Sequence, residues 1–476
     1  MKKPNLDTVT TINKDGSKYN IHPADVKGSF TLRRRLTAWV LILIYILLPW
    51  IKINGYPAVF LDLDKRQFHF MGLTLFTQDF WVLFFFISGL AFTLFVLSSI
   101  VGRVWCGWFC PYTVFLEHLY RRIERFVDGD APKRRRLDEA PMNKTKFIKR
   151  AIKWSFYVLV SFILAHVFLS YFISIPGVWS NITDGPAEHI TEFLFILAFT
   201  GIFTFCFGWF REQFCIILCP YGRFQSALTD DQTVTVFYDY NRGEPRGKMT
   251  KDADKKLGDC IDCRRCVNVC PTGIDIRNGL QLECVACSAC VDACNEIMTK
   301  VNRPKGLIRY DSSAGISTGK RKILRPRLFL YMIFTAIGLG VLGAVFVSKA
   351  KPFHAGITRV MGTTYTANEQ GVRNQYQIKL TNKRNQDITY TYKLVNSPGF
   401  ELSAGTNTIT LGPLQKDTVT FTVFSPVDQY KGSADIFIDV TSEDGTRSEL
   451  TARFLGPAAT LYKDSLNEKQ ETTNPE

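Results

Sequence analysis

Two quartets of cysteines carry the strongest chemical signal in the chain. Residues 260–295 read CIDCRRCVNVCPTGIDIRNGLQLECVACSACVDACN, in which C-x2-C-x2-C-x3-C occurs twice and the first copy ends in Cys270-Pro271. Two residues between thiolates let consecutive backbone turns present them to one cubane, and the more distant fourth cysteine reaches the other cluster in two-cluster ferredoxins. The spacing therefore assigns Cys260, Cys263, Cys266 and Cys294 to one [4Fe-4S] centre, and Cys284, Cys287, Cys290 and Cys270 to a second. Structural zinc also uses four cysteines, but its pairs normally stand a dozen or more residues apart. One departure from the ferredoxin pattern is Asn295, which follows Cys294 where proline is usual.

A second repeat lies outside the quartets. Arg103-Val-Trp-Cys106-Gly-Trp-Phe-Cys110-Pro111-Tyr112-Thr-Val-Phe115 aligns without a gap with Glu212-Gln-Phe-Cys215-Ile-Ile-Leu-Cys219-Pro220-Tyr221-Gly-Arg-Phe224, at an offset of 109 residues. Cysteines at i and i+4 share one helix face, so each pair is expected to aim both thiols the same way. The proline after the second cysteine breaks or restarts the helix. Two buried, inert cysteines are the bland alternative for one pair, since free cysteine is among the most buried residue types. Two aligned pairs favour function, and four soft thiolates suit Cu(I), zinc or a further cluster. After Cys110, apolar Phe115, Leu119, Ile123 and Phe126 alternate with arginines, a pattern expected to lie along a membrane surface. His118, His166 and Cys206 are weaker candidates, the last two falling inside apolar runs.

The elements that position these cysteines are membrane spans. The chain has 476 residues with 58 Lys and Arg against 43 Asp and Glu, and its apolar residues concentrate in long uncharged runs. A crossing helix needs about 20 apolar residues, which predicts spans at 36–54, 80–102, 154–175, 193–210 and 328–348. Basic residues mark the cytoplasmic side; they crowd the lead 1–35 and the loop 103–150, while the turn 176–189 has none. A membrane domain over 36–226 follows, with a cytoplasmic insert at 227–327 holding the ferredoxin segment 255–300. The reducing side argues against disulfides there. The basic excess flanks the spans and accompanies no nucleic-acid module, so no nucleic-acid partner is expected. From 351 to 462, short Thr-, Tyr-, Val- and Ile-rich strands separated by turns predict an antiparallel β-sandwich without cysteine, and the polar tail 463–476 is expected to be disordered.

The stretches RVWCGWFCPYTVFLEHL, FREQFCIILCPYGRFQSALTD and CPTGIDIRNGLQLECVACSACVDAC resemble the cytochrome c oxidase accessory family called CcoG, FixG or RdxA. The resemblance covers nearly the whole chain. It implies a multi-domain protein of the bacterial inner membrane, with a five-helix membrane domain, a cytoplasmic two-cluster ferredoxin-like insert and a periplasmic immunoglobulin-like domain. It implies a cupric reductase, with copper as substrate and the factors of haem-copper oxidase assembly or copper transport as partners. Cys106, Cys110, Cys215 and Cys219 would then be the copper-handling residues. The electron donor is left open. Two other functions share these elements: a quinol-linked electron-transfer adaptor, and an assembly scaffold with structural clusters.

Overall fold

The computed structural model describes residues 20–464 except 54, 64, 77–79, 249–256, 282, 323, 350–352, 361, 363, 385 and 404–405. Most of the lead (1–19), the start of the ferredoxin segment (255–256) and the tail from 465 lie outside the described residues. The chain forms two compact units, one of residues 1–52, 57–71 and 75–343, the other of residues 53–56, 72–74 and 344–476.

In the first unit, four helices among the described residues are long and apolar enough to cross a membrane: Trp81–Val101, Lys144–Leu169, Ile190–Phe210 and Pro326–Ala344. The second of these starts well before the expected 154–175. Asn143 caps it, its side-chain oxygen accepting from the Lys146 amide at 2.8 Å, so the helix begins in the basic stretch and carries it toward the apolar one. Two spans meet at glycine: a Cβ on Gly338 would stand 2.9 Å from the Cα of Gly89, a close approach only small residues permit.

The helix at the expected first span, 36–54, is displaced and is not among those four. It runs Ser29–Leu47, and the chain leaves helical geometry before the strand residues Lys52–Ile53. The cause is at its start, where Asp292 accepts from the Thr31 amide and hydroxyl at 2.7 and 2.8 Å, fixing the first turn on the cysteine-rich insert. Arg33, Arg34 and Arg35 thus lie inside the helix rather than before it.

The second unit contains a β-sandwich. Strands Glu401–Ser403, Lys416–Pro426, Gly371–Asn382 and Phe353–Arg359 form one sheet in that order, with Thr366–Asn368 also paired to Gly371–Asn382. Thr408–Leu411, Ile388–Val395, Ala434–Ser442 and Arg447–Phe454 form the other. All the described pairings are antiparallel, and alternate residues such as Tyr376, Ile378, Tyr390, Tyr392, Ile436 and Ile438 fill the core between the sheets.

Candidate metal centres

The insert is closed by an antiparallel pair, Thr235–Tyr238 with Ile308–Asp311, and by the helix Ala289–Lys300. Val236, Ile276, Met298, Leu307 and Ile308 pack there with Cys260, Cys266 and Cys284. Both cysteine loops carry left-handed residues at the same two places: Asp262 (φ 52°) and Arg264 (φ 54°) in the first, Ala286 (φ 50°) and Ser288 (φ 63°) in the second. A left-handed non-glycine residue costs about 1 kcal/mol or more. Repeated at matched positions, it curls each loop, and in the second the Ala286 and Ala289 amides bond the Cys284 and Cys287 sulfurs, an arrangement that suits anionic sulfur.

The thiols sense one another in two groups. Burial pushes Cys294 up to about 12, followed by the charges of Cys260 and Cys263. Cys284 is pushed up to about 12 by burial, with Cys270 and Cys287 adding to it. Such buried thiols give up their protons only when a cationic centre takes the protons' place. Among the described residues no three cysteine sulfurs lie within 4.8 Å of one another. A single tetrahedral ion with 2.3 Å metal–sulfur bonds needs thiolates about 3.8 Å apart. A four-iron core holds its thiolates at separate corners and needs the wider spacing, so the residues present fit a cluster better than zinc.

The CxxxCP pairs depart from the single helix face the spacing suggested. Cys106 lies in a short helix, Val104–Trp108, but Cys110 is extended (ψ 122°) and precedes the helix Pro111–Phe115. Cys215 lies in a π-helical turn, Phe214–Leu218, and Cys219 is likewise extended (ψ 113°) before the helix Pro220–Leu228. The reason is the proline, which forces the residue before it out of helical geometry. Each pair therefore straddles a helix break. The two pairs are still neighbours: burial first, then the charges of Cys110, Cys106 and Cys219, push Cys215 up to about 12, with Arg103 opposing. Cys106 rises to about 11 by burial, with Arg103 again opposing and Cys110 and Cys219 adding.

Each copy of this repeat also reaches into the other. Tyr112 donates to the carbonyls of Cys206 (2.8 Å) and Arg211 (2.6 Å), at the end of the span before the second copy. The Tyr221 hydroxyl is 2.6 Å from that of Ser98, at the end of the span before the first. Cys106 is 3.6 Å from the Gln225 amide oxygen.

The first pair touches the insert directly. Cys106 packs with Val285 and Cys287. A Cβ on Gly107 would stand 2.3 Å from the Val285 carbonyl oxygen and 3.1 Å from the Cys287 Cα. Arg34 Nε donates to the Gly107 carbonyl at 2.7 Å, and Trp108 Nε1 to Tyr310 at 3.2 Å, whose hydroxyl donates to the Ala286 carbonyl at 2.8 Å.

Three family models match: a 4Fe-4S binding domain over 79–129, a 4Fe-4S dicluster domain over 210–313, and the immunoglobulin-like fold at the C-terminus of FixG over 343–457. Protein RdxA of Cereibacter sphaeroides is 35% identical over 416 residues, covering 81% of this chain and 85% of its own. Protein RdxB of the same organism is 35% identical over 409 residues, 80% and 83% of the two chains. Nitrogen fixation protein FixG of Rhizobium meliloti is 32% identical over 426 residues, 79% of each. The chain belongs to the FixG/CcoG/RdxA family. It is a membrane iron–sulfur electron-transfer protein of that type, with an immunoglobulin-like C-terminal domain.

In this FixG-type protein the stretch after Cys110 is helical but not one continuous α-helix. It runs Pro111–Phe115, a π-helical turn Leu116–Tyr120, then Arg121–Asp128. Arg121, Glu124 and Asp128 are buried while Phe126 is 82% exposed. Glu124 accepts from Arg211 at 2.9 and 3.2 Å and from Tyr157 at 2.9 Å, Asp128 from Lys153 at 2.9 Å, and Arg121 donates to Glu212 at 3.2 Å and to the Pro271 carbonyl at 3.0 Å. Burial pushes the Glu124 carboxyl up, but Arg211, Lys153 and Arg121 outweigh it and hold it at about 2. Sequence periodicity missed this seam because the partner charges come from distant segments; charged residues at i, i+3 and i+7 were its only local trace.

The weaker candidates stay apart from the thiols. His166 bonds the Phe162 carbonyl of its own helix at 2.9 Å. Cys206 offers its backbone carbonyl to Tyr112. Burial and Arg34 push the buried His118 down to about 4, and the charges acting on it are those of Arg34, Glu117, Arg122 and Arg35. A group absent from the sequence reading is Asp184, Glu188 and His189, whose ligand atoms all lie within 4.8 Å on an exposed turn.

Proposed function

We propose that this protein reduces Cu(II) to Cu(I) for assembly of a haem-copper oxidase, with Cys106, Cys110, Cys215 and Cys219 as copper-handling thiols that would act two at a time, since no three of them lie within 4.8 Å of one another. The observation that carries the reading is the contact of Cys106 and Gly107 with Val285 and Cys287, which joins the thiol pairs to the cysteine-rich insert by van der Waals contact. The eight insert cysteines would hold two [4Fe-4S] clusters, Cys260, Cys263, Cys266 and Cys294 the first, Cys284, Cys287, Cys290 and Cys270 the second. The mutual charge effects of Cys294 with Cys260 and Cys263, and of Cys284 with Cys270, support that crossing. When bound, the clusters supply one electron at a time. One electron converts one Cu(II) to Cu(I), and soft thiolates favour that product. Arg103, which opposes the rise in both Cys106 and Cys215, eases loss of their protons as the metal enters.

The topology belongs to the same proposal: five spans, the lead and insert cytoplasmic, the sandwich periplasmic. Tyr45, near the end of the Ser29–Leu47 helix, stacks on Tyr171 at 5.7 Å, just beyond the end of the Lys144–Leu169 helix. Helices ending at one level support a crossing by the first. A reporter fused after Ser348 should be exported and one near Asp252 retained; a retained C-terminal reporter would remove one span.

The decisive experiment compares two sets of variants. Serine at Cys106, Cys110, Cys215 and Cys219 together should leave iron content unchanged and abolish Cu(II) reduction and Cu(I) retention. Serine at Cys266 should lower iron and reduction together. Parental Cu(II) reduction by the quadruple variant would reject the copper site and leave transfer to another acceptor.

A further inference from the structure

Beside the second cysteine loop lies a cavity of about 110 Å3 whose wall holds six arginines, Arg34, Arg35, Arg121, Arg122, Arg125 and Arg134, against the carboxylates of Asp25 and Glu117. At roughly 10 to 15 Å3 per water it has room for several waters or one tetrahedral oxyanion. Three arginines are answered: Arg125 by Asp25 at 2.8 Å, Arg121 by Glu117, and Arg134 by Glu124 at 3.5 Å. Arg34, Arg35 and Arg122 have no carboxylate partner among the described residues.

The wall also presents buried donors with no acceptor: Arg34 Nη2, Arg35 Nε, Arg121 Nε and Arg134 Nε. Arg34, Arg121 and Arg134 are each more than nine-tenths buried. A buried donor left unmade costs about 1 to 3 kcal/mol, so several around one cavity point to an acceptor the protein does not itself supply. Guanidinium forks match tetrahedral oxyanions in geometry as well as charge.

We infer that this cavity binds a phosphate group, carried either by a soluble molecule or by the head group of an anionic lipid. The positive potential is evident in Arg122, whose proton affinity is lowered by burial and by Arg35 and Arg125. Val269, Pro271 and Ala289 complete the wall, one residue from Cys270 and Cys290. A phosphate held there places negative charge beside the loop of the second quartet and opposes adding an electron to it.

The test uses the full-length protein in detergent with inorganic phosphate as probe, measured by equilibrium dialysis. In parallel, its thermal midpoint is measured in nanodiscs of phosphatidylcholine with and without phosphatidylglycerol. Arg35→Gln with Arg122→Gln should weaken phosphate binding by about tenfold or more, while Arg136→Gln, exposed and outside the cavity, should change it by less than about twofold. If soluble phosphate does not bind but phosphatidylglycerol raises the midpoint, and the double variant loses that rise, the phosphate is the lipid's. No response to either probe, or equal losses in the double variant and Arg136→Gln, overturns the inference. Should the double variant fail to fold, Arg122→Lys keeps the charge but removes the fork, and unchanged binding by it would also overturn the inference.

Discussion

The two copies of the CxxxCP repeat share a backbone plan and differ in what they touch. Both break their helix at the second cysteine, and both send a tyrosine, Tyr112 or Tyr221, to the end of the span that precedes the other copy. The first copy has Gly107 where the second has Ile216, and only glycine clears the Val285 carbonyl. Shared features of the repeat thus mark where the halves hold each other, and divergent ones mark where the first copy's backbone meets the insert, with Tyr221 of the second copy packed against the same Cys106, Val285 and Cys287 cluster.

The largest expected break lies in the charged seam. Glu124 belongs to the first half, and at the same offset (233 − 109 = 124) the second half has Thr233, which donates to the Ser99 carbonyl at 3.0 Å. Glu124→Gln leaves the buried Arg134 without its carboxylate and Arg211 with only Glu212 at 3.7 Å, and should cost about 3 to 5 kcal/mol. Thr233→Val should cost about 1 kcal/mol. Thermal melts of the two variants read the difference, and equal losses would mean the seam is no firmer than a neutral hydrogen bond. The pH dependence has a definite sign: Glu124 is depressed from 4.5 to about 2, so its stabilisation is complete above 4.5 and is lost as pH falls through 2.

The next effect exchanges the residues that differ. Gly107→Ile puts a branched side chain against backbone atoms of the insert and should cost about 1 to 3 kcal/mol in overpacking, with falling Cu(II) reduction as the Cys106 contact opens. Ile216→Gly, the reverse change, should leave reduction within about twofold of the parent, since its cost is about 1 kcal/mol of helix propensity. Parental reduction by Gly107→Ile would place the electron path elsewhere.

Ligand spacing is local, so each quartet and each CxxxCP motif is read within a few tens of residues, although the two CxxxCP copies stand 109 residues apart. Three spans, 80–102, 193–210 and 328–348, stand close to the observed helices, since a long uncharged run leaves little alternative. The sandwich strands were likewise visible in alternating residues such as Tyr390 and Tyr392. What escaped depends on distant partners. The start at Ser29 is set by Asp292, and the inward charges at 121–128 are set by Arg211, Glu212 and Lys153. Periodicity groups Phe126 with the residues expected along a membrane surface, and it stands 82% exposed on the protein. The extended residue at Cys110 and Cys219 was implicit in the following proline, but the helix-face argument overrode it.

The smallest expected effect tests the reciprocity itself. Tyr112 donates to two carbonyls and stacks on Phe214 at 4.3 Å between ring centres, while the Tyr221 hydroxyl bonds Ser98 at 2.6 Å and also engages Gln225. Tyr→Phe at either position keeps the ring and removes the hydroxyl. Each lost hydrogen bond is worth about 0.5 to 1.5 kcal/mol, so Tyr112→Phe and Tyr221→Phe should each lower the thermal midpoint. The double variant should approximate the sum only if the two contacts are independent. Because Tyr112 anchors Arg211 and Tyr221 anchors Ser98, and Ser98 also accepts from Gln225 beside Cys106 at 3.2 Å, the contacts share one interface. A double-mutant cycle should therefore show coupling of about 0.5 kcal/mol or more. Strict additivity would mean the two halves are pinned separately and that the exchange of tyrosines is an inheritance of duplication with no energetic link.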